Sequence, residues 1–141
     1  MKDAQFYLLT EIYRLLNGVI SVSVFNMEQP IENTVTEYVK TASVSVIPSK
    51  TKDSFMGEYL VNLDVVTLVP MNAASEFRLN QIVNEVLPIM CPTPTTHGFN
   101  NSSDFAVGKV TNEGSVSFSD TFNTQKRLRR VVEFRILVKQ R

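Results

Sequence analysis

Between residues 3 and 17 the apolar side chains recur at helical spacing. Leu8, Leu9, Ile12, Leu15 and Leu16 form one stripe, with Glu11 and Arg14 off it, which predicts an amphipathic helix. Asp3 suits the N-cap, and Gly18 suits the stop just past the last turn. The period then changes to two. VISVSVF (19–25) sets Ile20, Val22 and Val24 against Ser21 and Ser23, the pattern of a half-buried strand. Residues 26–36 carry Asn26, Pro30 and Asn33 and read as a loop.

Alternation returns over 38–47 and again over 58–69. The polar connection PSKTKDSFMG (48–57) between them is too long for a two-residue turn, so 38–69 reads as one long hairpin with an extended tip. Pro70 ends the second strand and Asn72 is placed to cap a second helix over 73–90. That helix has its stripe at Leu79, Ile82, Val83, Val86 and Met90. CPTPTTHGFNNSSD (91–104) is a breaker segment within the domain, because the 37 residues after it are too few to fold alone. Strands are expected at 105–111 and 115–122, around an Asn112-Glu113-Gly114 turn, and at 128–139. Arg130 interrupts the apolar side of the last one. The expected order is α-β-β-β-α-β-β-β in one domain, 1–141. This is an α+β fold: a mostly antiparallel sheet or sandwich with a long hairpin and two helices packed on one face.

Composition narrows the chemistry. The chain has 141 residues, 43% of them hydrophobic, enough for a sizeable core, which excludes disorder as a whole-chain description. No apolar run approaches the roughly 20 residues of a membrane helix, and the N-terminus shows no signal-peptide pattern, so an intracellular origin is expected. A single Cys (Cys91) and a single His (His97) allow no intramolecular disulfide and no zinc site without carboxylates. The carboxylates are dispersed and the five glycines stand near element ends or turns, so neither a metal cluster nor a phosphate loop is indicated. Cys91 reads as a small apolar residue ending the second helix and His97 as a solvated loop residue. No nucleophile–base–orienter set presents itself, so no enzyme activity and no cofactor are expected. Asp64 is expected to be solvated or paired across the sheet.

The 14 basic and 14 acidic residues balance, yet their distribution does not. Seven of the basic ones fall in the last 16 positions, with Glu133 the one acid among them. A solvated strand face guarded against edge pairing is one reading. An electrostatic interface, with an acidic neighbouring subunit or with a nucleic-acid backbone, is the other. Arg127, Arg129, Arg130 and Arg135 are its candidate residues. The tip of the hairpin supplies a second candidate group, Lys50, Lys52, Asp53, Phe55 and Met56, in which Phe55 and Met56 would be apolar anchors. The Ser/Thr/Asn-rich faces of 19–25, 38–47 and 115–122 suit either an ordinary wet sheet face or packing between copies in a ring.

Taken together, these segments resemble a known family. FYLLTEIYRLLNG leading into VSVF, the hairpin YVKTASVSVI and GEYLVNLDVVTLV, the helix NAASEFRLNQIVNEVLPIM and the terminal strand RRVVEFRILVKQ resemble the tail completion or tail terminator (neck) proteins of long-tailed bacteriophages. The resemblance is one of pattern across nearly the whole chain. It departs from the family in the long 91–104 loop and in the absence of an aromatic residue beside Asp64, where family members often carry Trp. The resemblance implies a structural virion protein made in the host cytoplasm. Such a protein forms a homohexameric ring that caps the tail tube and joins it to the head connector, with DNA passing through its lumen and no membrane partner. The alternative from the residues themselves is a small intracellular adaptor or nucleic-acid-associated domain using the basic C-terminal strand.

Overall fold

A computed structural model describes residues 3–26, 35–47, 56–71, 76–122 and 125–141. The helical stripe over the first segment forms α1 (Gln5–Leu16), with Leu8, Ile12 and Leu16 fully buried. The N-cap position falls on Ala4 rather than on the expected Asp3, whose Oδ1 accepts from the Gln5 N–H at 3.0 Å from one residue farther out. Gly18 sits at φ +79°, the left-handed conformation that ends α1 and that a residue with a Cβ adopts only under strain. The second helix is α2 (Phe77–Met90), and all five residues of its expected stripe are buried. Its start is later than the 73–90 pattern suggests, and the expected Asn72 cap lies outside the described residues. Pro88 stands in its last turn on the exposed side, where the bond it cannot donate is lost near solvent.

The strands are β1 (Ser23–Asn26), β2 (Glu37–Ile47), β3 (Met56–Pro70), β4 (Phe105–Phe122) and β5 (Gln125–Gln140). They form one sheet in the order β1-β2-β3-β5-β4. β1 is parallel to β2, and the other neighbours are antiparallel. The α+β class stands and the elements follow the expected order with one strand fewer after α2, and the long hairpin is β2–β3, in register from Glu37↔Thr67 to Ile47↔Glu58 across one shift at Thr41/Ser43. Two expectations change. The strand expected at 19–25 pairs regularly only over Ser23–Asn26, although Ile20 still reaches the core. The strands expected on either side of an Asn112-Glu113-Gly114 turn are a single strand.

That second change has a physical reason. Asn112 and Gly114 do what turn residues do: Asn112 Oδ1 accepts from the Gly114 N–H at 2.9 Å, and Gly114 takes φ +126°. With β5 already alongside, the same chemistry gives a β-bulge, where the register shifts between Asn112 and Gly114, and the strand continues. A second shift lies between Val107 and Lys109.

Both helices cover the same face of the sheet. Leu8, Ile12 and Leu16 from α1 and Leu79, Ile82 and Val86 from α2 join Val61, Leu63, Val65, Phe134 and Ile136 in one core cluster. Strand alternation puts the next residue of each pair on the opposite, open face. There Tyr38, Val66 and Leu68 are buried outside that core, with the Phe25 ring edge-on to Tyr38 at 5.8 Å. No described helix is long and apolar enough to cross a membrane.

Candidate interaction surfaces

The open face is where the basic strand acts. Cross-strand register brings Val66, Arg129 and Phe118 into one row, with Asp64, Val131 and Val116 in the row on one side and Leu68, Arg127 and Asp120 in the row on the other. Asp64 is fully buried. Arg129 Nε donates to its two oxygens at 3.1 and 3.3 Å, and Nη2 donates to Oδ2 as well. The same guanidinium lies 4.6 Å over the Phe118 ring and 3.9 Å from Asp120. Arg127 Nε donates to Asp120 Oδ1 at 2.8 Å and its Nη2 to Oδ2, a fork-on-carboxylate pair. That pairing, Arg127 first among its causes, holds the Asp120 carboxyl below the usual carboxylate range. Arg135, farther along the same face, pairs with Glu58 at 3.2 Å and Glu113 at 3.0 Å.

Arg130 alone of the four points to the helical side. Its Nε donates to Ser117 Oγ at 2.9 Å, and Nη2 stands 3.9 Å from Glu76 at the start of α2. The structure therefore brings Arg127 and Arg129 together, sets Arg135 along the face and turns Arg130 away. Each of them has an acidic partner from a neighbouring element. The sequence pattern located the basic strand and allowed for the cross-strand pairing of Asp64, but missed the other partners, because Glu58, Glu113, Asp120 and Glu76 come from β3, β4 and the α2 entry. Of the tip group, Met56 opens β3 opposite Lys139 and is exposed, while Lys50, Lys52, Asp53 and Phe55 lie outside the described residues.

A second surface was not visible in the pattern. A cleft of about 460 Å³ separates α1 from residues 100–105 and is lined by Phe6, Tyr7, Thr10, Asn100, Ser102 and Phe105, among others. Glu11, expected on the solvated side of α1, is only 8% exposed beneath it. Arg14 Nε donates to Glu11 Oε2 at 2.9 Å, and the Asn100 N–H donates to Oε1 at 2.6 Å. The Arg14 bonds, and secondarily the Asn100 bond, keep the Glu11 carboxyl below its ordinary range against the effect of burial. Tyr7 donates its hydroxyl to the Asn100 carbonyl at 2.6 Å. Burial, then the Glu11 charge, pushes its phenol up to about 12. Arg14 Nη2 also reaches the Gly98 carbonyl at 2.9 Å, so this cluster ties the breaker segment to α1. The sequence signal for it was the Glu11–Arg14 spacing of three, which also fits a surface pair.

Cys91 closes α2, half-buried, and burial pushes its thiol up, away from the thiolate a nucleophile needs. His97 Nδ1 accepts from the Phe99 N–H at 3.2 Å. Among the described residues no group of three or more His, Cys, Asp or Glu is placed to hold a metal ion. On the far side of the sheet, Arg78 Nε bonds Glu37 at 3.1 Å, and Ser21 Oγ bonds Glu85 at 2.7 Å. These bonds pin α2 to β2 and to the chain entering β1. A scan of protein-family models and a search of curated proteins both return no match to this chain.

Proposed function

We propose that the protein is a structural component of a bacteriophage tail or neck. In this reading it assembles head-to-tail into a ring, likewise a hexamer in the resembled family, that caps the tail tube and meets the head connector. The observation that carries the reading is the placement of exposed apolar side chains at opposite ends of β3. Met56 (37% exposed) and Val46 (52%) stand at one end. Phe6 (81%) joins them through the start of α1, where the Ala4 N–H bonds the Tyr59 hydroxyl at 3.0 Å. Met71 (56%) and Phe77 (69%) stand at the other end. Fifteen residues of strand separate them, about 45 Å at strand rise. Exposed apolar side chains at two separate ends of one subunit suit a heterologous contact, which closes into a ring when the rotation permits. The order of elements supports the same reading through the resemblance.

The basic strand takes no DNA-binding part in this reading, because its four arginines already hold carboxylates. Location in the virion follows from the assembly proposed. Native mass spectrometry of the full chain tests it. Wild type gives a closed oligomer, and Phe77→Asp or Phe6→Asp, each changing an exposed side chain, returns it to monomer with an unaltered circular dichroism spectrum. A wild-type chain that stays monomeric at high micromolar concentration overturns the proposal.

A further inference from the structure

β4 ends the sheet, and its outer edge is protected along only part of its length. Residues Cys91–Pro94 lie beside Lys109–Asn112 across a shallow cleft, and the Cys91 thiol contacts the Val110 carbonyl at 3.9 Å. The two bulges also fall in this half. From Gly114 to Phe122 the strand pairs with β5 residue for residue, without a break. Ser115, Val116, Ser117, Phe118, Ser119 and Thr121 are all exposed, on both faces, so neither the helices nor the breaker segment covers this stretch. Val116 is 66% exposed.

Soluble proteins blunt such edges with lysine, proline, bulges or inward-facing charge. Ser115–Phe122 contains no Lys, no Pro and a single charge, Asp120, which Arg127 already holds. The opposite edge, β1, has four residues. Among the described residues an edge-to-edge contact longer than that has only β4 to use, so it is β4 against β4, two-fold and self-complementary.

We propose that Ser115–Phe122 is a strand-pairing site for a second copy of this chain, antiparallel and centred on Ser117. In an antiparallel pair, opposed residues share a sheet face, so the two-fold axis must run midway between the two copies of a single residue. Centring on Ser117 sets Val116 against Phe118 of the other copy, and Phe118 against its Val116. Aromatic opposite β-branched is a favourable cross-strand pair. Ser115 meets Ser119, and Asp120 meets Gly114, which has no side chain to crowd it. Centring on Phe118 would set Val116 against the Asp120 carboxylate instead. The charge along the seam is neutral, because each Asp120 is paired within its own copy. The pairing joins two five-stranded sheets into one of ten strands. It uses a surface separate from the ends of β3, so it stands or falls apart from ring assembly.

Disulfide trapping tests it, in full-length chain carrying Cys91→Ser. With Ser117→Cys added, each new thiol faces the equivalent thiol of the other copy across the seam, within reach of a disulfide. With Ser115→Cys added, the two thiols lie four residues out of register, about 13 Å apart, beyond disulfide reach. Mild oxidation is expected to give at least tenfold more two-chain product on a non-reducing gel from Ser117→Cys than from Ser115→Cys. Adding Val116→Lys to the Ser117→Cys chain should cut that yield about tenfold. The circular dichroism spectrum should stay unchanged, since Val116 is a surface residue. Equal yields at 115 and 117, no two-chain product at 117, or a yield indifferent to Val116→Lys each overturn the proposal. A failure at 117 with rings intact leaves the tail-ring reading standing.

Discussion

Arg129→Met is the perturbation that most sharply separates a structural from a solvated role for the basic strand. Asp64 has no solvent contact, and its carboxylate takes all three of its hydrogen bonds to Arg129 from one guanidinium. Methionine keeps much of the side-chain volume beneath Phe118 and removes every donor. Removing one partner of a buried pair strands the other charge, at a cost of about 3–5 kcal/mol. For a chain of this size that corresponds to a fall in Tm of about 10–15 °C. Asp64→Leu/Arg129→Met removes both charges and should recover most of the loss, because two apolar groups of similar volume can replace a buried pair at little cost. Urea denaturation followed by circular dichroism at neutral pH, on both single variants and the double, measures the cycle. A cost below about 1 kcal/mol for Arg129→Met would instead place the strand among solvated, screened charges.

Glu11→Gln, which keeps an acceptor for the Asn100 N–H but loses the charge, should destabilise by about 1–3 kcal/mol at pH 7 in the same assay. Glu11 and Asp120 are carboxyls lowered in the folded state. Their stabilisation is complete above the ordinary carboxylate range and lost as pH falls through the lowered values, so wild-type stability should decline below about pH 4. Part of that decline should vanish in Glu11→Gln, and an identical acid profile would contradict the assignment. Gly18→Ala places a Cβ at φ +79° in open space, so about 1 kcal/mol of backbone cost is expected with no clash to relieve. Arg127→Ala together with Arg135→Ala should leave affinity for duplex DNA at low salt unchanged, since both arginines are already ion-paired. A marked loss with a steep salt slope would revive the nucleic-acid reading.

What could be read from the residues was whatever is encoded locally. The stripes of α1 and α2 and the alternation of β2 and β3 depend on neighbours a few positions apart, and they gave the elements and the buried faces of α2 and of Tyr59–Val65 in β3, whereas in β2 the register shift leaves Ala42 and Val46 exposed and Thr41 buried. The Asn112-Gly114 signal was read correctly as chemistry and wrongly as topology. Whether a positive φ and a side-chain bond to the backbone make a turn or a bulge depends on a strand 20 residues downstream. The arginines show the same limit. Their clustering is a sequence property, whereas their neutralisation depends on the order β3-β5-β4, which sets β5 between two acid-bearing strands. Glu11 was hidden for a related reason: what buries it is residues 98–100, which composition marks as a solvated breaker and which α1 recruits as a lid.

The function proposed for this subunit is that of a ring on a phage tail. Electron microscopy of the purified full chain, alone and mixed with polymerised tail tubes, tests it most directly. Closed rings are expected in end-on views, with rings seated at one end of the tubes. Monomers or open filaments alone, with tube ends left bare, would contradict it.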